Sequence, residues 1–194
     1  MRTLSTSFVL GYHGCDESVA DKLLSGARFR RSRNDYDWLG PGIYFWEANP
    51  RRGLEFAREL RKAGRGNVRT PAVVGAVIDL GLCLDLTTSA GIAQTRRAYA
   101  TLREIAEKAG FALPANSRDL LRRDLDCAVF DMLHAIRERE GDPPLECVRG
   151  VFVEGAPLYS GGGIYEKTHV QVCVRDPSNI KGLFRVKRDH LRGY

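Results

Sequence analysis

Apolar residues gather in short runs along the chain, several of them alternating with polar residues, and this pattern predicts β-strands. The first run is SFVLGYH at 7–13, and a second, IYFW at 43–46, follows the glycine turn at 40–42. PAVVGAVIDLGLCLDL at 71–86 is the most apolar run and is long enough for one or two buried strands. Later strands are predicted at VRGVFVEG, THVQVCV and GLFRV.

Two helices are predicted between the early strands, because each stretch carries an N-terminal capping residue. The first helix covers 16–26, with Asp16 or Ser18 as its N-cap and a glycine at its end. The second covers about 50–62 and is capped by Asn49, with a proline in its first position, where a missing N–H costs nothing.

Two further helices are predicted later, over 95–109 and 117–139. Ser117 is the expected N-cap of the second of these. Its apolar residues recur at helical spacing, which predicts a stripe facing the core: Leu121, Leu125, Ala128, Met132 and Ile136.

The order of these elements predicts an α+β fold with a split, mostly antiparallel β-sheet, flanking helices and a helical insertion at about 90–145. The chain has 194 residues, of which 43% are hydrophobic. That length and composition suit one domain with a single sizeable core, spanning 1–194.

Charge and cysteine content narrow the range of functions. The formal net charge of +6 permits a polyanionic partner without requiring one. The five cysteines are widely spaced and include no C-x-x-C pair, so we expect reduced thiols, with neither a disulfide framework nor a metal site. The N-terminus does not resemble a signal peptide, and no apolar run is long enough to cross a bilayer. We therefore expect a soluble, cytoplasmic protein that does not associate with membranes.

Two segments contain candidate chemistry. His13 ends the first strand beside Gly14, where a ring N–H can be donated to a ribose hydroxyl and a flat ligand can approach the glycine backbone. A structural hydrogen bond is the alternative role for this histidine. Tyr44 lies in the strand after the glycine turn and can offer its ring as a stacking wall, or can be an ordinary half-buried strand aromatic.

Together, the two segments resemble the ADP-ribosyltransferases of the His-Tyr-Glu class, which includes the poly(ADP-ribose) polymerases and the diphtheria-type toxins. YHG matches the first motif of that class, a histidine and a glycine that end a strand. GPGIYF closely matches the second motif, G-x-G-I-Y-F. The helix between the motifs and the later strands also fall where that fold has them. The resemblance covers most of the chain except residues 90–145.

The resemblance implies roles in binding NAD as a co-substrate. In that class the histidine binds the adenosine-side ribose, which assigns this role to His13. The backbone of Gly14 would hold the nicotinamide carboxamide, and the ring of Tyr44 would stack on the nicotinamide. Phe56, on the following helix, is the candidate to close the other face of the ring, and a core position on that helix is the alternative.

The third motif of the class, a glutamate that opens a late strand, is absent from THVQVCV. Gln171 is the positional match on that strand, and Glu166, just before it, is the favoured acid. Glu154 and Glu47 are the other acids in reach of the motifs. For Gln171 and Glu166 the alternative is a solvated or strand-capping polar group. A glutamine can still bind ribose hydroxyls but supplies no negative charge.

An arginine-rich loop, RFRRSR at 28–33, lies between the two motifs. In the fold that the chain resembles, this region borders the donor cleft. Arg31 is therefore a candidate for binding the NAD pyrophosphate, and the loop as a whole is a candidate for binding a nucleic-acid backbone. A solvated basic loop is the alternative.

The resemblance implies a mono-ADP-ribosyltransferase that moves ADP-ribose from NAD to a macromolecule. The acceptor is RNA, DNA or protein, with RNA slightly favoured. By analogy within the family, the enzyme would be an intracellular toxin or phage-defence effector, with an antitoxin protein as a further partner. Two alternatives stay open. One is an NAD-dependent RNA 2′-phosphotransferase, and the other is an inactive module that binds nucleic acid or ADP-ribose.

Overall fold

The computed structural model describes residues 7–118 and 122–192, which form an α+β fold. The strands of this part of the chain are β1 (Phe8–Asp16), β2 (Ile43–Glu47), β3 (Pro71–Asp79), β4 (Cys83–Asp85), β5 (Cys147–Phe152), β6 (His169–Val174) and β7 (Ile180–Arg185). The helices are α1 (Glu17–Leu24), α2 (Pro50–Lys62), α3 (Ser89–Ala109) and α4 (Asp124–Glu140), with short 3₁₀ turns at Pro177–Asn179 and Arg188–Leu191.

The strands form one mixed sheet in the order β4-β5-β6-β2-β1-β3-β7. Only the β4–β5 pair is parallel among these described strands. The sheet is thus mostly antiparallel, as the sequence predicts, but it is continuous where a split sheet was expected. Its shortest strand pairing is between β1 and β2, where Gly11 faces Glu47 and Tyr12 faces Trp46 before the pairing ends.

The first two helices begin where the sequence predicts. The side chain of Asp16 accepts a hydrogen bond from the backbone N–H of Ser18 at 3.0 Å, so Asp16 is the cap of α1. Asn49 caps α2 in the same way by accepting from the N–H of Arg52 at 3.0 Å. Local side chain-to-backbone hydrogen bonds therefore set both helix starts.

The two later helices begin at other residues than predicted. Helix α3 starts at Ser89, earlier than expected, because the Thr88 hydroxyl accepts from the N–H of Gly91 and caps it. Helix α4 starts at Asp124 and not at residue 117. Ser117 instead exchanges hydrogen bonds with the backbone of Arg122, two residues before the helix.

The predicted apolar stripe of α4 does face the core. Ile136 is buried, and Leu125, Ala128 and Met132 pack against the same cluster, while Leu121 lies outside the described residues. This cluster joins α3 and α4 to one face of the sheet through Leu84, Val148 and Cys173 among others. The opposite face carries a second cluster that includes Ile43, Phe45, Ala76, Ile78 and Val172.

The five cysteines are all unpaired, four of them buried and Cys83 partly exposed. Burial raises the pKa of the Cys15 thiol to about 11 and of Cys173 to about 12, so these side chains remain protonated and act as small core residues. In residues 7–118 and 122–192, no helix is long and apolar enough to cross a membrane.

Candidate functional site

The candidate site lies at the β1–β2 junction. There, a hydrogen bond from a side chain takes the place of a backbone hydrogen bond between the two strands. Pairing between the strands ends at Tyr12 and Trp46. Two residues further along β2, the carbonyl oxygen of Tyr44 accepts a hydrogen bond from Nδ1 of His13 at 2.9 Å. The imidazole therefore takes the acceptor that continued strand pairing would have used, and the two strands separate here.

The separation of the strands leaves the backbone of Gly14 at an open edge. The N–H of Ala48 donates to the carbonyl of Leu10 at 2.8 Å, so the backbone groups of Leu10 point toward β2. Antiparallel strands repeat this orientation at every second residue, so the N–H and C=O of Gly14 point the same way. Continued pairing would have placed Gly14 opposite Tyr44, but the β1–β2 register does not reach that far. Gly14 thus presents a donor and an acceptor beside His13.

Gly14 is also required by the packing of α2. A Cβ atom at this position would lie 2.0 Å from the carbonyl oxygen of Gly53 in α2, far inside van der Waals contact. The glycine of the YHG segment therefore has a structural reason to be there. That reason holds whether or not a ligand approaches its backbone.

The hydrogen bond to Tyr44 fixes the tautomer of His13. A carbonyl oxygen only accepts, so Nδ1 carries the proton. Burial lowers the pKa of His13, and the Tyr44 carbonyl opposes this only in part, so the ring is neutral near pH 7. Its Nε2 is then a bare acceptor, with no hydrogen-bond partner in the described chain. His13 can therefore accept a hydrogen bond from a hydroxyl, whereas the sequence suggested that the ring donates one.

The rings of His13 and Tyr44 lie on different sides of β2. The His13 ring packs against Phe29 and Phe45, with ring centroids 5.2 and 5.7 Å apart. Tyr44 precedes Phe45 in the strand, so its side chain points to the opposite face, where it packs against the α3–α4 cluster. The two motif residues are adjacent, and they meet through the Tyr44 peptide group and not through their rings.

Tyr44 also has a structural role. Its hydroxyl donates to the carbonyl of Gly40 at 2.7 Å and accepts from the N–H of Leu39 at 3.0 Å. Burial raises the pKa of Tyr44, and the neighbouring Cys173 and Asp37 raise it further. Gly40 has φ +78°, a backbone conformation that favours glycine, so the tyrosine closes a turn that the glycine makes possible. These contacts are those of a half-buried strand aromatic, and the stacking role of Tyr44 stays a prediction.

Gln171 lies on β6 opposite Trp46 and takes part in a buried chain of hydrogen bonds. Its Oε1 accepts from Nε1 of Trp38 at 2.8 Å, and its Nε2 lies 3.2 Å from Nε2 of His169. Nδ1 of His169 donates in turn to the carbonyl of Lys167 at 2.6 Å. His169 is neutral, because burial lowers its pKa, so its Nε2 can accept from the amide. One N–H of Gln171 remains for a ligand.

The acids near the motifs all have other partners. Glu166, the favoured acid from the sequence, is exposed on the hairpin between β5 and β6, where its carboxylate accepts from the N–H of Ala156 at 3.2 Å. Glu154 binds Arg52 at 2.9 Å. Glu47 binds Arg149 through two contacts of 2.6 and 3.0 Å. Glu166 lies on the hairpin just before the strand of Gln171, and its role in place of the class glutamate stays a prediction.

Phe56 packs against Trp46, with ring centroids 4.8 Å apart. The guanidinium of Arg52 lies 5.9 Å from the centre of the same indole. This contact agrees with the second interpretation of Phe56, a helix residue that packs on the sheet.

The arginine-rich loop borders the site. Ser32 pairs with Gly42 through backbone hydrogen bonds of 2.7 and 3.1 Å, which holds the loop against the start of β2. Phe29 of the same loop contacts His13. Arg31 is exposed, and its charge contributes to lowering the pKa of Arg175, for which burial is the main cause. In the part of the chain that the structure describes, the loop arginines have no acidic partner: Arg28, Arg30, Arg31 and Arg33.

Three residues near the site had no sequence signal. Trp38 and His169 hold Gln171 from distant parts of the chain. Asp37 is a buried carboxylate, 9% exposed, that accepts from the backbone and side chain of Asn34 at 2.9 and 3.2 Å. The N-x-x-D spacing of that turn is the only local pattern that could have indicated it.

Within residues 7–118 and 122–192, no group of three or more His, Cys, Asp or Glu side chains is arranged to hold a metal ion. Comparisons of the chain with protein-family models and with curated protein sequences gave no match. The two motifs and the geometry around them are therefore the features that bear on function.

Proposed function

We propose that the protein is a mono-ADP-ribosyltransferase that binds NAD at the β1–β2 junction. The hydrogen bond from His13 to the Tyr44 carbonyl is the observation that carries this proposal. It ends the strand pairing, fixes the imidazole as an acceptor and frees the backbone of Gly14 at one point of the sheet. These are the groups that the sequence resemblance assigns to NAD binding.

The proposed binding mode follows from the direction of each free group. The N–H and C=O of Gly14 complement the carbonyl and amine of a carboxamide, which suits nicotinamide. Nε2 of His13 accepts a hydrogen bond from a ribose hydroxyl. Because the rings of His13 and Tyr44 lie on different sides of β2, the dinucleotide would cross the open edge. Arg31, exposed beside this edge, is the proposed contact for the pyrophosphate.

The chemistry requires mainly positioning. The bond between C1 of the nicotinamide ribose and the ring nitrogen breaks, and its electron pair leaves with neutral nicotinamide. The ribose gains oxocarbenium character, and a lone pair of the acceptor forms the new bond to C1 while the acceptor loses a proton to water. Gln171 would bind a ribose hydroxyl through its remaining N–H but supplies no negative charge. The lack of that charge favours transfer of a single ADP-ribose over polymer synthesis.

The acceptor is proposed to be a nucleic acid, RNA slightly before DNA, on the strength of the unpaired arginines of the loop and the net charge of +6. A cytoplasmic toxin or phage-defence effector with a neutralising antitoxin is the biological setting that the family analogy suggests.

Two other functions have some support. An NAD-dependent RNA 2′-phosphotransferase would also use basic residues near the NAD, as the arginine loop provides. A binding module without turnover would explain why each acid near the motifs is engaged elsewhere. Release of nicotinamide from NAD separates the module from both enzymes.

The proposal is tested by incubating the protein with NAD labelled in its adenylate phosphate and a cell lysate, then digesting the product with protease or nuclease. A label that resists protease and is lost with nuclease is the expected result. Arg30→Glu should weaken labelling more than NAD hydrolysis, with a steep dependence on salt, whereas Arg31→Glu, at the proposed pyrophosphate contact, should weaken both. Label lost to protease alone would replace the nucleic acid with a protein acceptor, and no label in any macromolecule would reject transferase activity.

A further inference from the structure

A cavity of about 320 Å³ lies between α3, α4 and the loop before β2. Its walls include three aromatic side chains, Trp38, Tyr99 and Phe130, and its polar members include Arg96 and Asp126. A volume of this size is at the lower end of what small-ligand pockets occupy. The cavity is therefore suited to one flat, mainly apolar group with a polar rim.

The cavity adjoins the candidate site through a single side chain. Trp38, which lines the cavity, donates its indole N–H to Gln171 at 2.8 Å. Gln171 is the residue proposed to bind the nicotinamide ribose. The C1 atom of this ribose is where the acceptor would form its new bond. A group held in the cavity would thus contact the same indole that holds Gln171. This position suits part of an acceptor better than part of NAD.

Arginine and aromatic side chains alternate along the same side of the molecule. The guanidinium of Arg122 lies 4.8 Å from the ring centre of Tyr36. That of Arg123 lies 5.0 Å from Trp38 and 4.3 Å from Phe152. Arg122 and Arg123 also bind the neighbouring Asp124 and Asp126. Arg96, at the cavity, is exposed and has no acidic partner in the described chain.

We propose that this cavity holds one base of a single-stranded nucleic-acid acceptor, stacked among Trp38, Tyr99 and Phe130, with Arg96 contacting a backbone phosphate. Stacking on aromatic side chains beside a basic surface is how proteins hold single strands without reading their sequence. The uncompensated charge of Arg96 favours a phosphate-bearing ligand over an apolar peptide side chain. The proposal depends on the proposed transferase function, since it identifies the acceptor of that reaction.

The test is the affinity of the full chain for a short fluorescein-labelled single-stranded RNA, measured by fluorescence anisotropy without NAD. A strand with the same backbone and no bases is the second probe. Tyr99→Ala should weaken binding of the base-containing strand by about 5-fold to 150-fold, the range for loss of one stacked base, with little effect on the baseless strand. Arg96→Glu should weaken both. Arg103→Glu makes the same charge change on α3 outside the cavity lining and should bind almost as the wild type does.

Tyr99→Phe retains a ring and should keep most of the affinity, which guards against a folding defect in Tyr99→Ala. The proposal is overturned if the wild type binds the two strands equally, if Tyr99→Ala and Arg96→Glu bind as Arg103→Glu does, or if the protein binds neither strand. Nicotinamide release in the same preparations reports separately on the transferase function. If the protein binds RNA through the cavity but leaves NAD intact, the binding-site proposal stands and the transferase proposal is rejected.

Discussion

At the scale of single residues, the site is defined by which polar groups already have hydrogen-bond partners within the protein and which are left for a ligand. The motifs in the sequence indicated His13, Tyr44 and Gln171, because their residue types and spacing are local features. Their partners were not predictable, since Trp38 reaches Gln171 across 133 positions of the chain. The direction of the His13 hydrogen bond likewise depends on the Tyr44 carbonyl, which only the folded sheet brings within reach.

Tyr44 should tolerate loss of its hydroxyl better than loss of its ring. Tyr44→Phe leaves the Leu39 N–H and the Gly40 carbonyl without their partner, and we expect it to lower the free energy of unfolding by about 1–3 kcal/mol. Tyr44→Ala also removes core packing and should cost about 3–5 kcal/mol. Urea denaturation measures both values. Equal stability of the two variants would show that the ring does not pack as described.

Gln171→Glu should raise the pKa of His169. The amide donates to Nε2 of the imidazole, and the new carboxylate can only accept, so His169 must bind a proton to restore the contact. NMR titration of the imidazole should show a pKa above the lowered wild-type value. Gln94→Glu, which adds the same charge on the exposed part of α3, should leave that pKa unchanged. A titration curve for Gln171→Glu identical to that of the wild type would exclude the hydrogen-bond chain.

At the scale of elements, the sequence predicted which helices and strands form. It was less successful in predicting where they begin and end and how the strands are ordered in the sheet. The N-caps of α1 and α2 are hydrogen bonds between residues close in the chain, and both were predicted. The predicted start of α4 was wrong because Ser117 forms hydrogen bonds with Arg122 and does not cap the helix, which begins at Asp124. The parallel pairing of β4 with β5 joins segments on either side of α3 and α4, which periodicity cannot show.

Gly14→Ala should push α2 away from β1. The added methyl would lie 2.0 Å from the Gly53 carbonyl, so we expect a loss of about 1–3 kcal/mol in the free energy of unfolding. Gly182→Ala is the matched control, because a Cβ atom there meets no atom within 4 Å. Its unfolding free energy should stay within about 0.5 kcal/mol of the wild type. Equal effects of the two substitutions in urea denaturation would contradict the close approach of α2.

His134 on α4 should make the fold sensitive to acid. Burial, together with the charges of Arg175, Arg137 and Arg31, lowers its pKa to about 3, below about 6.5 for an unfolded chain. The folded state therefore resists protonation, and the stabilisation is complete above pH 6.5 and is lost as the pH falls toward 3. This group alone gives a slope approaching about 1.4 kcal/mol per pH unit.

Replacement of the imidazole tests that slope. His134→Gln cannot take up the proton, so its free energy of unfolding should fall less steeply with decreasing pH in this window. A series of urea denaturations from pH 6.5 downward gives both slopes. Parallel curves for the wild type and His134→Gln would mean that His134 does not titrate between the folded and unfolded values given above.

At the scale of the whole molecule, three features converge on one region of the sheet. The β1–β2 pairing ends there, the arginine loop runs beside it through Ser32 and Gly42, and the aromatic cavity adjoins it through Trp38. The sequence motifs and the basic loop could be placed near each other by the resemblance. The cavity could not, because its walls come from α3, α4 and the loop before β2, which are distant in the chain.

The most direct test of the account is the rate at which the purified protein releases nicotinamide from NAD. We expect measurable release by the wild type and a rate at least about 10-fold lower for His13→Ala, since that variant loses a hydrogen bond to the ribose and frees the Tyr44 carbonyl. His190→Ala, an exposed histidine in the last 3₁₀ turn, should release nicotinamide at the wild-type rate. No release by the wild type, or equal rates for His13→Ala and His190→Ala, would contradict the proposal that NAD is bound and cleaved at the β1–β2 junction.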